Sequence, residues 1–180
     1  MTSQLHGPTC GCLTPLFRNL TRRGALGLGL GALAAALPAA AAGGHYDAML
    51  VNCIDPRFTT SSQAYMASQG MKDKFSHFVI AGGPIGIVAP QFADWQKAFW
   101  DNLAITVQLH DIKKVVGLTH RDCGAAAVAF GDAIKTDKAL ETAKHTEALR
   151  TFRAEVGQRQ PKLEVFTGIM ALDGTVEVIA

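Results

Sequence analysis

Three short apolar runs, each closed by turn residues and followed by a stretch of helical character, decide most of what this chain can become. Residues 47–52 ("DAMLVN"), 75–81 ("FSHFVIA") and 114–119 ("KVVGLT") have the length and side chains of buried strands. After the first, "TTSSQAYMASQG" offers Ser/Thr caps and a terminal Gly70, the marks of a short helix. The second is stopped by "GGPIG". From 91 to 110, Phe92, Trp95, Phe99, Leu103 and Val107 recur at intervals of three and four. That spacing predicts one apolar face of a helix of about five turns. The chain is Ala-rich and helical from Gly124, and Thr136 or Asp137 starts another helix that runs to about Val156. "LEVFTGIMALDGTVEVIA" closes the sequence as a hairpin turning at Asp173-Gly174. Strands alternating with helices predict an α/β fold: a mainly parallel sheet flanked by helices, with right-handed crossovers and a C-terminal antiparallel strand.

The segment before the first strand has a different chemistry. Residues 1–46 contain no Asp or Glu, and Arg22-Arg23 stand directly before an uncharged run from 24 to 44. A positive stretch, a modest apolar core and a small-residue exit near 39–42 read as an export signal. The arginine pair suggests the twin-arginine type, with Ala25 where a larger apolar residue usually stands. The run is rich in Gly and Ala and broken by Pro38, which argues against a permanent membrane anchor. The expected organisation is therefore a signal over 1–44 and a single domain over 45–180, periplasmic or secreted after cleavage. Three of the 17 basic residues and none of the 15 acidic ones precede Gly44, leaving fourteen against fifteen and a net charge of −1. No basic stripe for nucleic acid remains.

Of the four cysteines, Cys10 and Cys12 precede the arginine pair, so the domain keeps only Cys53 and Cys123. Cys53 lies just past the first strand, and His120 just past the third, three residues before Cys123. In a parallel sheet, ligands sit beyond the carboxyl ends of strands where the winding reverses. If these two strands are neighbours, Cys53, His120 and Cys123 face one crevice and can hold a metal through two thiolates and an imidazole. Three protein ligands are the number that leaves a position open for water, as catalytic zinc sites do. A Cys53–Cys123 disulfide is the alternative in an oxidising compartment. It does not explain why His120 stands beside one cysteine and Asp55 and Arg57 beside the other.

These residues also carry a family resemblance. "CIDPR" followed by "HRDCG" resembles the Cys-x-Asp-x-Arg and His-x-x-Cys-Gly pattern of the beta-class carbonic anhydrases. "FVIAGGPIG", "DNLAITVQLHDIKKVVGLTHRDCG" and the closing hairpin resemble the same family over nearly all of the domain. The resemblance implies Zn2+ on Cys53, His120 and Cys123. It implies that Asp55 orients the zinc-bound water, or ligates zinc as a fourth ligand in a closed state, and that Arg57 holds Asp55. The implied activity is carbonate dehydratase, a zinc lyase: reversible hydration of carbon dioxide to bicarbonate with zinc-bound hydroxide as nucleophile. A homodimer or higher homo-oligomer is implied as well. Two positions depart from the family: Pro56 stands before Arg57, and Ile80, Ala81 and Gly82 stand where an Arg-Asn-Ala-Gly run is usual.

Other readings remain open on sequence alone. Asp55 and Arg57 are also compatible with an ordinary surface ion pair. A related small linear substrate, carbonyl sulfide or carbon disulfide, would use the same ligands, and so would a zinc-binding homologue without turnover.

Overall fold

The computed structural model describes residues 44–180. The expected export signal lies outside the described residues, apart from Gly44. Five strands form one sheet in the order β2-β1-β3-β4-β5. They are β1 (Ala48–Asn52), β2 (Phe75–Val79), β3 (Lys114–His120), β4 (Glu164–Met170) and β5 (Val176–Val178). The first four pair in parallel and β5 pairs antiparallel to β4. The helices are α1 (Thr59–Ser68), α2 (Pro84–Val88), α3 (Ala93–His110), α4 (Gly124–Phe130) and α5 (Lys138–Arg159). This is the α/β class with a C-terminal antiparallel strand that the alternating pattern predicts.

The pleat divides the core in two. Ala48 and Leu50 of β1 and Val116 and Leu118 of β3 pack with Phe58, Met66 and Met71 on the α1 side. Met49 and Val51 alternate to the opposite face, where Phe99, Leu103, Phe152 and Val156 of α3 and α5 cover them. Helices on both faces account for the complete burial of β1, which has no solvent side to make polar. Each large apolar side chain so buried contributes about 1.5–3 kcal/mol. The chain makes room where these layers meet: a Cβ on Gly117 would come within 2.7 Å of Phe152.

The structure corrects several local expectations. The long helix begins at Ala93, after a 3-10 turn at Pro90–Phe92, since proline starts a turn readily but cannot sit inside a helix. Its core face is Phe99, Leu103 and Thr106; Trp95 is 40% exposed and stacks on Phe92 at 4.6 Å instead. The "GGPIG" stretch does more than stop a strand, because Pro84 opens the short helix α2, whose Ile85 and Ile87 are fully buried. His120 is the last residue of β3, not the first beyond it. Among the described residues, no helix is long and apolar enough to cross a membrane.

Candidate metal centre

The sheet order fixes where the site must be. From β1 the chain winds one way to β2 and the other way to β3, so the switch lies between the carboxyl ends of β1 and β3. These strands pair directly, with Val51 opposite Gly117. Cys53 follows β1 and His120 ends β3, so topology alone brings them together. Cys123 is the N-cap residue of α4, reached after a two-residue turn. Gly83 covers the floor at φ 56; a Cβ there would meet Leu118 O at 2.9 Å and the Asn52 backbone at 3.0 Å. Only glycine tolerates both that backbone and that approach.

One ligand atom from each of Cys53, His120 and Cys123 lies within 4.8 Å of the others, and all three residues are buried. The cysteines are free thiols. His120 Nδ1 donates to Arg121 O at 2.8 Å. A carbonyl only accepts, so the proton sits on Nδ1 and the Nε2 lone pair is free in the neutral ring. Nε2 is buried and has no hydrogen-bond partner. An unsatisfied imidazole nitrogen costs about 1–3 kcal/mol when buried, and two buried sulfurs stand beside it. The pair of thiols behaves as a unit. The neighbouring Cys123 thiol favours the Cys53 thiolate against the cost of burial, helped by His120 and by the Gly82 N–H, which donates to Cys53 Sγ at 3.2 Å. Its hydrogen bond to that sulfur, then burial and the sulfur's charge, push the Cys123 thiol up. A divalent cation removes the repulsion between the two sulfurs. Orphan nitrogen, paired sulfurs and burial together fit a soft, tetrahedrally coordinating metal.

Asp55 and Arg57 sit at the mouth. Pro56 occupies the first position of a 3-10 turn, Pro56–Phe58, where its missing N–H costs nothing, and Asp55 caps that turn by accepting from Arg57 N at 3.0 Å. The Arg57 guanidinium donates to Asp55 Oδ2 at 2.7 Å from one terminal nitrogen and to Oδ1 at 3.0 Å from Nε. These bonds pull the Asp55 carboxyl down to about 2. Its Oδ2 lies 4.0 Å from His120 Nε2. In this structure the carboxylate is turned to Arg57 and is not part of the three-residue group.

Three further residues escaped the sequence reading. Phe58 stacks on His120 with ring centroids 4.1 Å apart. Asp122 gives Arg57 a second acceptor, Oδ2 at 2.8 Å and O at 3.1 Å. Glu141 of α5 accepts from Asp122 N–H. Phe58 and Asp122 lie within or beside the two motifs, but nothing in the local spacing of Glu141 points to the site.

No family model matches the chain. Two proteins described as uncharacterized, from Rickettsia conorii and Rickettsia bellii, are 33% and 32% identical to it over 131 residues. The match spans 73% of this chain and 70% and 80% of theirs. Among solved structures, tetrameric beta-carbonic anhydrase from the ascomycete Sordaria macrospora superposes with a TM-score of 0.53 at 14% identity, covering 77% of this chain and 82% of that one. The beta-carbonic anhydrase CafA of Aspergillus fumigatus gives 0.51 at 16% identity, covering 79% of each chain. At these identities the likeness is one of fold.

Proposed function

We propose, from the premise that this chain belongs to one family with the two rickettsial proteins and has the beta-carbonic anhydrase fold, that it is a zinc-dependent carbonic anhydrase. The observation that carries the reading is the orphaned His120 Nε2 between two buried free thiols, with Asp55 4.0 Å away. Zinc would be held by Cys53 Sγ, His120 Nε2 and Cys123 Sγ. When bound, it supplies a Lewis acid that makes water a nucleophile at neutral pH.

The residues around it divide the remaining work. Asp55 stays ionised through the neutral range, because Arg57 holds its carboxyl near 2. It therefore accepts a hydrogen bond from the attacking water and fixes the direction of the water's lone pair. It does not store the proton, which leaves to solvent as carbon dioxide and water become bicarbonate and a proton. Arg57 grips Asp55 with a planar fork and anchors that fork on Asp122, so the acceptor and the His120–Cys123 turn move as one piece. His120 Nδ1 is tied to Arg121 O, which sets the ring's tautomer and direction.

The test is metal analysis of the purified domain together with stopped-flow hydration of carbon dioxide. About one zinc per chain and proton release above the uncatalysed rate support the reading. Absence of zinc, with a Cys53–Cys123 disulfide, overturns it. Carbonyl sulfide and carbon disulfide offer the same central carbon to attack, and Ile54, next to Asp55 in the chain, is an exposed apolar side chain. Sulfide release without carbon dioxide hydration would move the assignment to that substrate class.

We also propose that the protein is a homo-oligomer and that residues 1–44 direct its export. Leu172, in the turn before the edge strand β5, and Val178, on that strand, are 63% and 61% exposed and suit burial against a second copy. The arginine pair and uncharged run support the export reading.

A further inference from the structure

The turn that carries His120 and Cys123 is held from behind as well as from its mouth. Glu141 lies in the first turn of α5 and is 7% exposed. Its Oε1 accepts from Asp122 N–H at 2.8 Å, and its Oε2 accepts from Arg121 at 3.2 Å. Arg121 extends the tie to Thr142 Oγ1 at 2.6 Å and to Glu177 Oε2 of β5 at 2.8 Å. Asp122 itself has φ 57, one of three positive-φ non-glycine positions among the described residues. Such a backbone is strained for an L residue and persists only where its surroundings over-determine it. Here the surroundings are Glu141 on the amide and Arg57 on the carbonyl and carboxylate.

The consequence is geometric. Asp122 is the residue immediately before Cys123, so its left-handed conformation determines how the chain returns from the end of β3 to the start of α4. That return sets the separation of His120 Nε2 from Cys123 Sγ. It also sets which atoms of Asp122 reach Arg57. A carboxylate that served only to neutralise Arg121 would have no reason to place its other oxygen on the amide between two candidate ligands. Glu177 already neutralises Arg121 from the other side.

We propose that Glu141 is a positioning residue of the metal centre: by accepting from Asp122 N–H, it holds the left-handed turn that spaces His120 and Cys123 and presents Asp122 to Arg57. Insofar as it concerns zinc, this rests on the reading given under Proposed function.

The experiment compares Glu141→Gln with Glu141→Leu in the otherwise unchanged protein. Gln keeps an oxygen for the Asp122 amide, whereas Leu keeps the bulk and loses the acceptor. Zinc affinity is measured by chelator competition, and the rate of Cys123 alkylation, relative to Cys53, is measured on metal-free protein. Glu141→Leu should weaken zinc by about 10- to 100-fold, the range for partners that orient metal ligands, and should raise the Cys123:Cys53 labelling ratio. Glu141→Gln should stay close to the parent in both. A folded Leu variant with parental affinity and labelling ratio overturns the proposal. So does a Gln variant that falls as far as Leu, since the effect would then belong to the charge on Arg121. If Glu141→Leu does not fold, Glu141→Ser, too short to reach the amide, replaces it with the same expected outcomes. If the parent protein binds no zinc, the functional reading falls, and the labelling ratio still decides the role of Glu141.

Discussion

The imidazole of His120 lies against the ring of Phe58, centroids 4.1 Å apart and planes 27° apart, although one residue ends β3 and the other lies in the turn after Cys53. The stack orients the same ring whose Nδ1 is fixed by Arg121 O. Phe58 is also 2% exposed and part of the core on the α1 side. Phe58→Ala should therefore cost about 3–5 kcal/mol of stability, as deletion of a buried aromatic ring does. Denaturant midpoints of the metal-free protein check the cost. Chelator competition on the folded variant checks the orienting role, which fails if zinc affinity is unchanged.

Asp55→Asn should leave zinc bound and lower turnover by about 100-fold or more, the scale for removing one aligned polar group at a reacting centre. Arg57→Lys keeps the charge and loses the fork that joins Asp55 to Asp122, so it should also lose most activity. Metal content and carbon dioxide hydration, measured on the same preparations, separate turnover from zinc loss. Parental activity in either variant would reduce the dyad to an ordinary exposed ion pair.

Cys123→Ser should release most of the metal, because a neutral hydroxyl replaces a soft anionic ligand. Thiol titration of the denatured, chelated parent domain over residues 45–180 should find two free thiols, in keeping with the free cysteines of the structure. A count of zero would establish a disulfide and remove the ligand set.

His145 gives the fold a pH dependence of its own. It is fully buried, its Nδ1 hydrogen-bonds Thr119 Oγ1 at 2.9 Å, and burial pushes its pKa from the usual 6.5 down to about 4. Glu141 opposes this shift, while Arg121 and His120 reinforce it. The unfolded chain takes up the proton first, so between pH 6.5 and about 4 it binds more protons than the native state. The contribution to stability is complete above 6.5 and is lost as the pH falls towards 4, roughly 3 kcal/mol at 1.36 kcal/mol per unit. Equilibrium unfolding of the metal-free protein across this range should show the loss. His145→Gln should flatten that slope, and an unchanged slope would contradict the assignment.

Replacing Arg22 and Arg23 together by Lys should leave uncleaved precursor in the cytoplasm, detected by fractionation and mass. Normal export of the double variant would remove the twin-arginine reading and leave a general signal in its place.

The sequence by itself determined the alternation of strands and helices, because side-chain periodicity is local and each element must bury its own apolar face. That was enough to put Cys53 and His120 at strand ends and to place Cys123 at the head of a helix. It could not determine that β1 and β3 are neighbours, a pairing set by how helices pack on both faces of the sheet and across more than sixty intervening residues. Nor did local pattern reveal that Trp95 lies outside the core, that "GGPIG" carries a buried helix, or that Arg57 has a second partner in Asp122. Each turns on how segments far apart in the chain pack together, and only the tertiary structure decides it. The candidate ligand types were written in the motifs, and the tautomer of His120 follows from the backbone fold at the very next residue, whose carbonyl accepts from Nδ1. The isolation of its Nε2 and the grip of Glu141 on the turn came with the tertiary structure, because each depends on segments that adjacent sequence does not supply.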